Sequence, residues 1–135
     1  MASDTGATGK NYYLKFGSTV LSTNYRSAND SESGGLVDQT AGSDVYATYL
    51  GTQVAGSKSV TIKYPAGDTA IWPAVAPHTE GTLEWGEEGT VAGKPKHTVL
   101  AIVENRNKSA SYNDLIVVDL TFRYNDASGV SDSTY

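Results

Sequence analysis

Apolar and polar residues alternate most cleanly over Ser57 to Tyr64, where Val60, Ile62 and Tyr64 fall on one side and Ser59, Thr61 and Lys63 on the other. A period of two is that of a half-buried strand, and Pro65 and Gly67 end it. The longest such pattern runs over Lys96 to Arg106 and Leu115 to Tyr124, two strands expected to pair as an antiparallel hairpin across Asn107 to Asp114. In the second strand Ile116, Val118, Leu120 and Phe122 share a side. The opposite side begins apolar at Leu115 and Val117 and turns polar at Asp119, Thr121 and Arg123. A sheet that is apolar on one side and partly apolar on the other needs cover for both. Further copies of the chain would supply it, and so would a helix of its own; the pattern favours neither.

Elsewhere the signals are shorter. Tyr12 to Phe16, bounded by Gly17, and Thr19 to Tyr25 predict a hairpin or bent strand, and Thr82 to Trp85 a brief one. Asp68 is placed to cap a short helix holding Ile71, Trp72 and Val75, with Pro73 in its first turns and Pro77 ending it. Residues 26 to 35 are the most polar interior stretch and predict a long exposed loop. Leu36 to Thr40 suits a strand, Asp44 to Leu50 has no clear period, and residues 86 to 95 read as a turn-rich loop. Residues 1–10 and about 125–135 are small and polar, which predicts terminal arms.

At 135 residues the chain suits a single domain. Its 14 glycines and many Ser and Thr residues favour turns between short strands, so the fold class expected is mainly β, two packed antiparallel sheets with one short flanking helix. A net charge of -5 disfavours tight nucleic-acid binding, which draws on Lys and Arg. With no cysteine, a disulfide framework, a thiol nucleophile and a thiolate zinc site are all excluded. The N-terminus has no basic-then-apolar signal and no stretch suits a membrane span, so synthesis in a cytoplasm and no membrane partner are expected.

Catalytic chemistry is thin. His78 and His97 have no metal-ligand spacing around them, and no Gly-x-Ser-x-Gly elbow occurs. Gly89 stands one place short of a phosphate-loop spacing to Lys94, and Pro95 takes the position of the required hydroxyl. Glu80, Glu84, Glu87 and Glu88 read as an acidic, solvated rim rather than a paired acid and base. Neither an enzyme nor a cofactor is expected.

Taken in order, several blocks resemble one family, the tail tube (major tail) proteins of siphoviruses. They are Tyr13 to Phe16 followed by Val20 to Arg26, Leu36 to Asp44 leading to Tyr49 and Leu50, and Ser59 to Ile62. Gly81 to Trp85, Gly89 to Pro95, and Tyr112 to Asp114 entering the last long strand complete the series. The resemblance implies a β-sandwich or barrel-like pair of sheets with one helix, six copies closing into a ring, and rings stacked as a hollow tube in the virion tail, assembled in the host cytoplasm. It also implies tape-measure, tail-tip and tail-terminator proteins as partners, and non-specific passage of DNA. Candidate lumen-facing residues are then Glu104, Asp119, Thr121 and Arg123, with more carboxylates than cations expected on the wall. Candidate contacts between rings are Arg26, Asp30, Glu32, Asp38, Asp44, Tyr46 and Tyr49.

Two other classes fit the residues less well. A β-sandwich binding module, such as a capsid decoration or carbohydrate-binding protein, would use the nine Tyr and two Trp as a stacking platform. A hydrolase would rely on Glu84 with Glu87 or Glu88.

Overall fold

The computed structural model describes Gly6 and residues 8–135, so the expected N-terminal arm falls largely outside the described residues. The chain forms β1 (Tyr13–Phe16), β2 (Thr19–Val20), β3 (Tyr25–Asp38), β4 (Tyr49–Lys63), α1 (Ile71–Ala74), β5 (Glu80–Gly86), β6 (Pro95–Ser109), β7 (Val117–Tyr124) and β8 (Ser131–Thr134). All pairings are antiparallel, in the order β2-β1-β5-β6-β7-β4-β3, with β8 beside the start of β6.

The two expected layers are two parts of one hydrogen-bonded sheet, joined through β6. Its first half pairs with β5 over His97 to Ile102, and its second half pairs with β7 as far as Ser109. The sheet folds over so that β1 meets β7, with the rings of Phe16 and Phe122 4.9 Å apart. Between the layers lie Leu14, Phe16, Val60, Ile62, Leu83, Trp85, Val99, Val103, Val118, Leu120 and Phe122, all buried. The expected alternation holds in β4 and β7, and burying one such side chain contributes about 1.5–3 kcal/mol.

The expected role of Asp68 at the start of the helix holds, although the N-cap position is Ala70 and Val75 follows the last helical residue. The Asp68 carboxylate accepts hydrogen bonds from the backbone N–H groups of Ala70, Ile71 and Trp72 at 3.1, 2.9 and 2.9 Å, and these bonds hold its pKa below the usual carboxylate range. The single turn then presents Trp72 to Arg106 and Lys108, with both cations close to 4 Å from the ring centre. Arg106 lies opposite Leu120, and Lys108 opposite Val118, so α1 closes the end of the core. The outward side of the sheet, where Leu100 is half exposed, is not covered by it.

Two expectations are corrected. Residues 26 to 35 are not a loop but part of β3, laddered against β4 in a hairpin whose outer half is solvent-exposed on both sides. Without a buried side there is no periodicity to mark the strand. The C-terminal arm is also partly structured within the chain, because the start of β6 has a free edge that β8 fills by backbone pairing, with Asp132 meeting His97 across it. Tyr135 follows, its N–H donating to Lys94 O and its O accepting from Gly93 N, at 2.9 and 2.8 Å.

Candidate assembly surfaces

The strands β3, β4, β7 and β6 present one continuous outward face. Its cross-strand rows are Ser57, Arg123 and Ile102; Ser59, Thr121 and Asn105; Thr61, Asp119 and Asn107; and Lys63, Val117 and Ser109, with Ser27, Asn29 and Ser31 on β3 beside them. The four candidate lumen residues therefore share this face. Arg123 pairs with Glu104 through Nε at 3.2 Å and Nη2 at 3.0 and 3.1 Å, and the Thr61 hydroxyl donates to Asp119 at 2.7 Å. Counting Lys63, this face carries two cations and two carboxylates.

The residues expected between rings divide into groups. Asp38, Asp44, Tyr46 and Tyr49 lie at the far end of the β3–β4 hairpin, among the exposed apolar side chains of Leu36, Val45 and Leu50. Asp38 accepts from Thr40 N and Asp44 from Ala41 N, both at 2.8 Å, which shapes the tip; the Thr40 contacts hold the Asp38 carboxyl below its usual range. Arg26 sits at a register break in β3, on the side of Asp114 and Val117. Asp30 is turned inward instead, at the hairpin's base, and makes an ion pair with Lys58.

Lys58 was missed by the sequence reading. It is fully buried, donates to the Tyr12 hydroxyl at 2.6 Å and lies 4.0 Å from the centre of the Trp85 ring. Burial lowers its pKa and Asp30 opposes that shift. The Tyr12 and Tyr124 hydroxyls are pushed up, chiefly by burial and then by Asp30. Lys58 extends the apolar side of β4 by one step of two from Val60, and that was the available signal.

Beside this cluster an open groove of about 660 Å³ runs between the hairpin base and β8, bearing Asp30, Glu32, Glu87, Asp126 and Asp132. His97 links its walls, with Nδ1 2.5 Å from Asp132 and Nε2 3.0 Å from Glu87. His78, at φ 71°, holds its backbone N–H 2.8 Å from Val103 O. Among the described residues no group of three His, Asp or Glu is placed to hold a metal ion, and Glu84 is engaged by Lys96 and Tyr135. No helix among the described residues is long and apolar enough to cross a membrane.

No protein-family model and no curated protein matches the chain. Solved structures do. The SPP1 tail tube is similar with a TM-score of 0.76 at 14% identity, over 96% of this chain and 80% of that one. This is the tail-tube fold. A chain from the tail of an empty gene transfer agent particle, refined with C6 symmetry, scores 0.73 at 13% identity, over 96% of this chain and 99% of that one. One from an extracellular contractile injection system, the PVC sheath–tube complex in its extended state, scores 0.72 at 10% identity, over 96% and 93%. Each likeness extends over nearly the whole of this chain, at identities where it is one of fold.

Proposed function

We propose that the chain is the subunit of a non-contractile viral tail tube: six copies close into a ring, rings stack, and DNA passes through the bore. The observation that carries this is the state of the polar sheet's two edges. Among the described residues β3 is unpaired on its outer side, and β6 beyond Val103 has no strand on the side away from β7. Four strands of alternating direction separate these edges. When copies are related by rotation about one axis, β6 of one meets β3 of the next antiparallel, and the ladder continues around the ring. Closing a ring removes edges that otherwise invite uncontrolled aggregation.

On this reading Glu104, Asp119, Thr121 and Arg123 line the bore. The wall is hydroxyl- and amide-rich with balanced charge, so it offers a DNA backbone little to hold. The exposed apolar end of the hairpin, with Asp38, Asp44, Tyr46 and Tyr49, reaches the adjacent ring, which would cover side chains such as Val45 and Tyr46, 93% and 83% exposed in the single chain. Arg26 and Glu32 lie nearer the base of the same hairpin, where neighbouring copies would also meet it. Tape-measure, tail-tip and tail-terminator proteins would meet the bore and the two ends, and the tube would stand in the virion tail. Negative-stain microscopy of the concentrated protein tests this. Tubes of constant width are expected; a strict monomer, or discrete particles of the kind a binding module would give, would refute it.

A further inference from the structure

The contact between Arg123 and Glu104 depends on an irregularity in β6. Val103 stands opposite Phe122 and Asn105 opposite Thr121, so Glu104 is an extra residue with no partner across the ladder. Such a bulge re-aims a side chain locally. Here it adds a carboxylate to the outward face while Val103, which is buried, and Arg106, opposite Leu120, keep the inward side. Both Glu104 oxygens are engaged by the Nε and Nη2 edge of Arg123, at 3.0 to 3.2 Å. The pair is 52% and 45% exposed, and an ion pair so well hydrated does little for folding.

We propose that Glu104 masks Arg123, occupying the guanidinium edge that would otherwise bind a phosphate group. A phosphodiester offers the same two-oxygen geometry as a carboxylate, which is why Arg holds either in a fork. Arg123 is the one cation in the middle of this face among the described residues, Lys63 lying at its end, and its cross-strand partners are Ser57 and Ile102, with Thr121 next to it on the same face of β7. Unmasked, a single guanidinium binds phosphate weakly. Repeated in every copy around and along a bore, it would hold a polyphosphate chain by many such contacts at once. This consequence rests on the tube reading given above; the mask itself does not.

The test separates the two. In the full chain, the Arg123 Nε–H resonance is followed by nitrogen-15 NMR while inorganic tripolyphosphate is added. In Glu104→Gln it should move with an apparent affinity at least about tenfold tighter than in the parent protein. Glu104→Ser should behave alike, and Glu104→Gln with Arg123→Gln should lose the gain. A resonance that stays still in both single variants, or phosphate binding that persists in the double variant, overturns the mask. For the bore, Glu104→Gln tubes are incubated with short duplex DNA and then with nuclease. DNA retained and protected is the expected result. DNA retained but digested leaves the mask standing and overturns the placement of this face inside the tube, and retention no greater than in parent tubes overturns the claim that masking keeps the bore non-adhesive.

Discussion

Replacing Asp30 with alanine should destabilise the subunit more than replacing Lys58 with methionine, although each removes the same ion pair. Lys58 is wholly buried, and without Asp30 its ammonium keeps the Tyr12 hydroxyl at 2.6 Å, the face of Trp85 at 4.0 Å and the more distant charge of Glu87. Stranding a buried charge costs about 3–5 kcal/mol. Asp30 is 41% exposed, however, so water can follow the lost carboxylate, and a loss of about 2–3 kcal/mol is expected. Methionine instead keeps a stem of similar length on Trp85 and removes the desolvation that lowers the Lys58 pKa, leaving Asp30 partly hydrated, so its cost should stay under about 1 kcal/mol. At roughly 3 °C per kcal/mol for a domain of this size, Asp30→Ala should lower Tm by about 6–9 °C and Lys58→Met by less than about 3 °C, with the double variant recovering most of the Asp30→Ala loss. The pH dependence has a definite sign. Because the folded pKa of Lys58 is lowered, the unfolded chain binds the extra proton between that value and the ordinary lysine value, so the stability of the parent protein rises with pH across that window and that of Lys58→Met does not. Denaturant and thermal unfolding of unassembled subunits measure all of this. Equal losses for the two single variants, or no recovery in the double, would refute the account of a buried charge held by one carboxylate.

Asp68→Ala removes the acceptor of three backbone N–H groups and should cost about 1–2 kcal/mol in the same assays. Since the folded pKa of Asp68 is lowered, its contribution is present above the ordinary aspartate value and is lost as pH falls through the lowered one, so the alanine variant should show a shallower acid limb. Val45→Ser with Tyr46→Ser, at exposed positions, should change subunit stability by less than about 0.5 kcal/mol yet sharply reduce tube formation seen by microscopy. Tyr135 is pushed up to about 12, first by burial and then by Glu84. The stability tied to its neutral hydroxyl is complete below the ordinary tyrosine value and lost as pH rises through about 12. Tyr135→Phe should therefore flatten the alkaline limb, read by circular dichroism.

Where one side of a strand is buried, period and burial coincide, and the sequence was legible: Val60 and Ile62 in β4, and Val118, Leu120 and Phe122 in β7, all lie in the core. Asp68 announced the helix for a local reason, since the backbone N–H groups that donate to it lie within four residues. Residues 26 to 35 were illegible because their strand is held by backbone pairing to β4 and exposes both sides. β8 was hidden for the same reason, its four residues being exposed throughout. Of the site, the shared face of Asp119, Thr121 and Arg123 follows from alternation. The place of Glu104 on it follows from a bulge, which no period reveals. Asp30 seemed a surface acid because its partner, Lys58, lies across the hairpin and Tyr12 comes from another part of the chain.

Two pairings that complete the body join distant parts of the chain, since β1 waits for β5 and β4 for β7, whereas β3 and β4 are neighbours in sequence. Distant pairings close slowly, over milliseconds to seconds, while a hairpin can form within about 10 μs. A nascent chain therefore raises its sticky finger of Leu36, Val45, Tyr46 and Leu50 well before the body that anchors it is complete. Premature tangling at that finger is the hazard built into this order of events, and chaperone capture during synthesis should centre there.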